Sequence, residues 1–431
     1  MTVKELIARS KAAQEAFAFA TQEQADAAAR AICKVVYDNA EKLGPMAAEE
    51  SRMGSEQDKI AKCRNKSALI WESLKDKKSC DIINRIEERR MIEVAKPVGV
   101  VASIIPSTNP VVTPMSNGAF ALKCRNSVIF APHPRAVKCT KLLVEMFRAE
   151  LKKLGLPEDL VLGLEEVSND LTSELMSAAD MVVATGGMGM VKAAYSSGKP
   201  AIGVGQGNVQ CIIDEDADIA DAVGKIIIGR AFDNGLICLG EQTVFVPEDK
   251  EAEFVAEMKK QGGYLVEGEE NVDKLREGLF PGGGAFSRVV VGMFADQVSD
   301  EIGLGAPKGT RVLFAKAKAL GAGDVLCREK LCPVIAYMTY KTFKEGVVMM
   351  EANLEHEGKG HSIAVHSNTP ENVEYAAIRC CVSRVVVNQP SGTTGGGSPT
   401  NGFTPTTTLG CGTWGNNSFA GNLNYEQFIN I

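Results

Sequence analysis

Along residues 1 to about 93 the apolar positions recur at helical spacing. Ala28, Ile32, Val35 and Val36 share one face, and Thr21 followed by Gln24 has the spacing of a capping box. The opening MTVKELIARSKAAQEAF reads as an amphipathic helix. Gly44-Pro45 interrupts the pattern, and a further helical stretch runs through EQDKIAKCRNKSALIWESLKD. Near Lys96 the texture changes. VGVVASIIPST, RNSVIFAPH, LVLGLEE, DMVVATGG and NVQCIIDED are short apolar runs that end in turn residues. They alternate with helical stretches such as AVKCTKLLVEMFRAELKKLG. Apolar strands of this kind, alternating with helices, predict a parallel sheet covered on both faces.

A second alternation follows Cys238, through TVFVPED, RVVVGMF, RVLFAKA, CPVIAYMTY, SIAVHS and SRVVVNQP. The pattern therefore predicts two α/β domains that meet near residue 230. The tail from Pro390 is rich in Gly, Thr, Ser and Asn, yet Phe403, Leu409, Trp414 and Phe419 are spaced through it, which favours an ordered loop over a linker.

Composition narrows the class. The chain has 431 residues, 45% of them hydrophobic, and a net charge of -7, which argues against nucleic-acid or anionic-membrane partners. No run approaches the ~20 apolar residues of a membrane span. The N-terminus lacks the apolar core and cleavage site of a signal peptide, so a cytoplasmic protein is expected. The 12 cysteines are too sparse for a disulfide scaffold, and neither they nor the 4 histidines have zinc-like spacing, so no metal is expected.

Candidate chemistry sits at the turns. Cys238, in AFDNGLICLGEQTVFV, follows a turn forced by DNG and precedes a strand; it is either a small buried hydrophobe or a reachable nucleophile. ATGGMGMV offers Gly186, Gly187 and Gly189 between a strand and a helix, as a phosphate cradle or a plain turn. APHPRAVK offers His133, Arg135 and Lys138 to a phosphate, or is a solvated turn. Asn109 in PSTNP stands at the C-terminal end of a strand, where open α/β sheets bind ligands and an amide can donate to an oxyanion; in the alternative it is turn chemistry alone.

Taken in order, PSTNP, RNSVIFAPHPRA, ATGGMGMVKAAYSSGKPAIGVGQGN, FDNGLICLGEQ, EKLCPV, GHS and LGCGTWGNNS resemble the CoA-acylating branch of the aldehyde dehydrogenase superfamily. ATGGMGMVKAAYSSGKP, GRAFDNG, VVVNQPS and TLGCGTWGNNS look most like CoA-dependent succinate-semialdehyde dehydrogenases. Acylating sulfoacetaldehyde dehydrogenases and the aldehyde half of bifunctional aldehyde–alcohol dehydrogenases are near relatives.

The resemblance implies an α/β fold of two doubly wound parallel-sheet domains. Residues 1–229 would hold a helical region and a Rossmann-like nicotinamide domain, 230–410 the catalytic domain, and 411–431 a segment returning to the cofactor domain and an oligomer interface. Cys238 would be the nucleophile, and Asn109 with the Cys238 N–H its oxyanion hole. Glu329 would contact the nicotinamide ribose. Thr185, Gly186, Gly187 and Gly189 would form the pyrophosphate turn, with Thr108, Pro134, Val204, Gly205 and Pro333 also lining the cofactor.

Two departures carry information. The water-activating glutamate of hydrolytic members falls on Gly203, so release to the thiol of coenzyme A is expected. The ribose-binding Lys and Glu of those members fall on Ala131 and Pro134. NADP should then be tolerated beside NAD, with Arg135 or Lys138 neutralising its 2′-phosphate. For the acid end of a substrate, Ser391, Thr393 and Thr394 of SGTTGGG are one candidate set and Arg230 another, unless Arg230 is simply a helix-surface arginine. The expected partners are an aldehyde or acyl-CoA and a second copy of the chain, as a homodimer or homotetramer. Similar proteins run on somewhat beyond EQFINI, which leaves a further C-terminal piece open. A hydrolytic dehydrogenase and a non-catalytic assembly protein of this fold are the rival readings.

Overall fold

In the computed structural model, which describes residues 1–431, helices α1 (Val3–Phe17), α2 (Gln22–Asp38), α3 (Ala40–Ser51) and α4 (Glu56–Leu74) come first. The Thr21–Gln24 capping box forms, and Thr2 with Glu5 makes another. Gly44-Pro45 does not end a helix: Pro45 lies inside α3. It forgoes one intrahelical bond, while burial of Leu43, Ala47 and Ala48 keeps α3 continuous.

A hairpin of β1 (Asp81–Ile86) and β2 (Met91–Pro97) projects next, with Ile82, Met91, Ile92 and Val94 exposed. The first sheet contains β3 (Val100–Ile104), β4 (Ser127–Ala131), β5 (Val161–Gly163), β6 (Met181–Thr185) and β7 (Ala201–Val204), all parallel, in the order β5-β4-β3-β6-β7. Every residue of β3 and β4 is buried, as their unbroken apolar runs require. Helices α5 (Val112–Lys123), α6 (Val137–Lys153), α7 (Asn169–Ala178) and α8 (Met188–Tyr195) connect these strands. Strand order reverses at β3, so a crevice opens beyond the C-terminal ends of β3 and β6.

The second sheet is also parallel. It contains β8 (Val209–Ile213), β9 (Glu241–Pro247), β10 (Gly263–Leu265), β11 (Val312–Lys316), β12 (Val334–Tyr340), β13 (Gly360–His366) and β14 (Val382–Val387), in the order β10-β11-β12-β9-β8-β13-β14. Because β8 pairs with β9 and β13, it and the following α9 (Ile219–Ala231) belong to this sheet. The change of sheet falls between Val204 and Val209, earlier than the expected boundary near residue 230. Composition could not show this, since β7 and β8 are both short apolar runs and only pairing separates them.

The tail is ordered. β15 (Leu409–Cys411) pairs with β16 (Ala420–Asn422), and β17 (Ile429–Asn430) pairs with β2 at Pro97 and Lys96. Phe428 packs 6.0 Å from Phe120 between ring centroids, in the core of the first sheet.

Candidate active site

Four loops at the N-terminal ends of neighbouring strands converge. Gly207 precedes β8, Cys238 precedes β9, Glu329 to Pro333 precede β12, and His361 is the second residue of β13. Gly207 sits between two of them. A Cβ there would lie 2.3 Å from the Cys238 carbonyl oxygen and 3.0 Å from His361 Nε2, so only glycine permits the approach. Cys238 and Cys381 are the only cysteines not fully buried.

The loop carrying Cys238 holds an unusual backbone. Asp233, Asn234 and Gly235 have φ of 49°, 53° and 71° in succession. Two non-glycine residues in the left-handed region store strain, which surrounding contacts must hold. Asp233 is fully buried and held from α4: Lys59 Nζ donates to its Oδ2 at 3.1 Å, Lys62 Nζ donates to the same oxygen, and the Ser55 N–H donates to Oδ1 at 3.0 Å. Lys62 Nζ also donates to Asn109 Oδ1 at 2.7 Å. With its oxygen occupied, the Asn109 amide presents Nδ2 outward. Neither Nδ2 nor the Cys238 N–H donates to another protein group. Sequence reasoning missed Lys59 and Lys62; their signal is the spacing of Lys59, Lys62 and Lys66 along one face of a helix.

Burial pushes the Cys238 thiol up to about 12; the Glu329 charge adds to this and Arg384 opposes it. Burial also lifts Glu329 to about 7. Its Oε1 accepts the Gly207 N–H at 3.1 Å, and its own N–H donates to Glu357 Oε2 at 2.7 Å. His361 is fully buried with no partner on either ring nitrogen, and burial with Arg384 nearby holds it well below its usual range. It is a neutral imidazole that meets the Cys238 carbonyl across Gly207, and sequence reasoning passed over it as one of four histidines.

Arg230 is not on the helix surface, and its Nε and Nη1 have no hydrogen-bond partner. It is fully buried, and its Nη2 donates to the Lys330 and Cys332 carbonyls. The cause lies in α9, whose Ala222, Val223, Ile226 and Ile227 are buried, so this face packs inward and the last turn meets the loop carrying Glu329. Pro333 lies in that loop, against the DNG turn: a Cβ on Gly235 would come 2.6 Å from the Cys332 carbonyl carbon and 3.1 Å from Pro333 N. The Thr393 and Thr394 hydroxyls donate to the Pro390 carbonyl and brace their own turn. Ser391 donates its N–H to Glu241 at 2.7 Å, and its buried hydroxyl has no partner.

The expected cofactor residues gather at the crevice of the first sheet. Thr185 pairs with Val204 across β6 and β7, and the Gly186 N–H donates to the Val204 carbonyl at 3.3 Å. Gly187 is the N-cap of α8 with no side-chain cap, and no atom lies within 4 Å of a Cβ at Gly187 or Gly189. That open helix start suits a pyrophosphate. Gly205 lies against Met188, and the Thr108 carbonyl accepts from Lys59 at 3.3 Å. Gly203 is hemmed in, since a Cβ would lie 2.8 Å from Val191 Cγ1, and both its N–H and its carbonyl bond the Tyr195 hydroxyl at 2.9 Å. His133, Pro134, Arg135 and Lys138 are exposed beyond β4. The N–H groups of Lys138 and Cys139, at the start of α6, donate to the Glu50 carboxylate at 2.7 and 2.8 Å. The Glu50 carboxylate of α3 thus stands at this helix start alongside the exposed Arg135 and Lys138.

Comparison with known proteins identifies the family and the fold. The sequence profile of the aldehyde dehydrogenase family matches residues 1–274. Succinate-semialdehyde dehydrogenase (acetylating) of Clostridium kluyveri is 49% identical over 431 residues, covering 100% of this chain and 95% of that protein. Sulfoacetaldehyde dehydrogenase (acylating) of Bilophila wadsworthia is 39% identical, covering 100% and 94%. The crystal structure of Rhodopseudomonas palustris propionaldehyde dehydrogenase, with bound CoA and an acylated cysteine, superposes with a TM-score of 0.88 at 26% identity, covering 100% of this chain and 95% of that one. No helix is long and apolar enough to cross a membrane. The chain belongs to the aldehyde dehydrogenase family, in its acylating branch.

Proposed function

We propose that the protein interconverts succinic semialdehyde, CoA and NAD(P)+ with succinyl-CoA and NAD(P)H through a thioester on Cys238. The Cys238 sulfur attacks the aldehyde carbonyl, and the oxyanion receives the Asn109 Nδ2 and Cys238 N–H donors; one such donor is worth about 3 kcal/mol. The Thr185–Gly189 turn and Glu329 would hold a nicotinamide cofactor, which when bound would accept the hydride and leave a thioester on Cys238. His361 takes the proton of the CoA thiol, whose sulfur displaces Cys238 and releases acyl-CoA. Kinetics are ping-pong.

The observation that carries acyl transfer over hydrolysis is Gly203. Its surroundings leave no room for a side chain, so no carboxylate activates water from this position, and such general-base help is typically worth ~10²–10⁴-fold. The identity to the Clostridium kluyveri enzyme supports a succinyl chain, and the Bilophila wadsworthia relative keeps sulfoacetaldehyde as the second reading. The reading includes a cytoplasmic homodimer or homotetramer, supported by the exposed apolar side chains of the β1–β2 hairpin and by β14, which has a sheet partner on one side only.

The test is absorbance at the reduced-nicotinamide band with succinic semialdehyde, sulfoacetaldehyde and acetaldehyde, each with and without CoA. Turnover that requires CoA and favours an acidic aldehyde is expected. Full-rate oxidation without CoA overturns the reading.

A further inference from the structure

Arg230 and Ser391 are fully buried, and the Thr393 and Thr394 hydroxyls are engaged locally, so no expected partner of the acid end offers an exposed free group. Another cation stands nearby. Lys59, Lys62 and Lys66 share one face of α4. The first two both pair with Asp233, whereas Lys66 forms no ion pair, and its Nζ donates to a backbone carbonyl, that of Gly396, at 2.7 Å. Gly396 belongs to the SGTTGGG turn. A Cβ at Gly396 would lie 2.9 Å from Lys66 Nζ and 3.7 Å from Leu239 Cδ1, and one at Gly395 would lie 2.9 Å from Leu239 Cδ2. The two glycines therefore bring the ammonium close to Leu239, the residue after the nucleophile.

The spacing suits an aldehyde with a distal anion. Lys62 holds the amide that faces the carbonyl oxygen, and Lys66 is one helical turn further along, about 5.4 Å. Succinic semialdehyde places its carboxylate beyond two methylenes, and sulfoacetaldehyde places its sulfonate beyond one. We infer that Lys66 is the cation that receives the distal carboxylate or sulfonate of the substrate. The assignment rests on the acidic-aldehyde reading above.

Burial, with the Lys62 charge beside it, pulls the Lys66 ammonium down to about 8. Lys62 is the one ionisable side chain whose charge acts on it; the 391–397 turn and Leu239 face it with backbone and apolar groups. A bound carboxylate supplies the missing counter-ion.

The experiment compares kcat/KM for succinic semialdehyde, sulfoacetaldehyde and butanal in the wild-type enzyme, Lys66→Met and Lys66→Arg. Truncating one partner of a desolvated charge pair lowers affinity steeply, so Lys66→Met is expected to cut the ratio of either acidic aldehyde to butanal by about 30-fold or more, through KM. Lys66→Arg is expected to keep most of that ratio. The two acids separate by which ratio falls further. A purely structural role for Lys66 lowers all three substrates together and leaves the ratios unchanged, which overturns the inference. If Lys66→Met does not fold, the wild-type pH profile decides. The KM for succinic semialdehyde, and not that for butanal, should rise as pH passes about 8 and the ammonium loses its proton; parallel profiles overturn the inference. Absence of any acid preference in the wild-type enzyme removes the reading beneath it as well. A preference that survives in Lys66→Met removes this inference alone.

Discussion

Lys62 Nζ donates to Asn109 Oδ1 at 2.7 Å, so a lysine of the helical region occupies the amide oxygen and leaves Nδ2 as the free end. A cation on the amide oxygen also polarises its N–H groups and strengthens them as donors. Removing one oxyanion donor costs about 10²–10³ in kcat. Lys62→Met is expected to lose about tenfold to a hundredfold of this, with the KM for CoA little changed. In an Asn109→Ala background the same substitution should have much less effect. Steady-state kinetics of the double-mutant cycle check this, and additive losses would show that Lys62 acts elsewhere.

Glu329 and Cys238 are electrostatically opposed. Burial raises the thiol first, and the carboxylate charge raises it further. Glu329→Gln removes that charge, so the Cys238 pKa should fall and the thiolate fraction at a given neutral pH should rise. Iodoacetamide alkylation of Cys238 should then be faster, with its pH profile displaced to lower pH. A rate that is unchanged or slower from pH 7 to 9 would contradict the assignment.

The Glu50 carboxylate on the first N–H groups of α6 bears on the choice of nicotinamide. The site expected to neutralise a 2′-phosphate also holds a negative charge, and like charges repel. Glu50→Gln should raise kcat/KM for NADP relative to NAD by about tenfold, a difference of about 1.4 kcal/mol. Measuring both cofactors at low and high salt checks the electrostatic origin, since screening should shrink the difference.

The strands and the turns were legible in the chain because each leaves a local signature. Unbroken apolar runs read as buried parallel strands, and the DNG turn marked Cys238 as standing at a junction. What stayed hidden depends on pairing across long separations. Nothing local distinguishes β7 from β8, so the change of sheet was misplaced. Arg230 reads as a surface residue because its basic character stands out, whereas its burial follows from the last turn of α9 lying under the Lys330–Cys332 backbone. Lys62 and Glu50 belong to helices that carry no motif of the chemistry; their parts emerge only when α4 meets the DNG loop and α3 meets the start of α6.

The clamp on Asp233 reaches across the chain. Its lysines precede it by 174 and 171 positions, and they belong to a helix packed beside the first sheet, while Asp233 leads into the second. A nascent chain with only one half consolidated therefore carries an ordinary sulfhydryl with no left-handed turn imposed before it and no oriented amide in front of it. The turn before Cys238 and the hydrogen bond on the Asn109 oxygen are therefore completed only when the two halves dock.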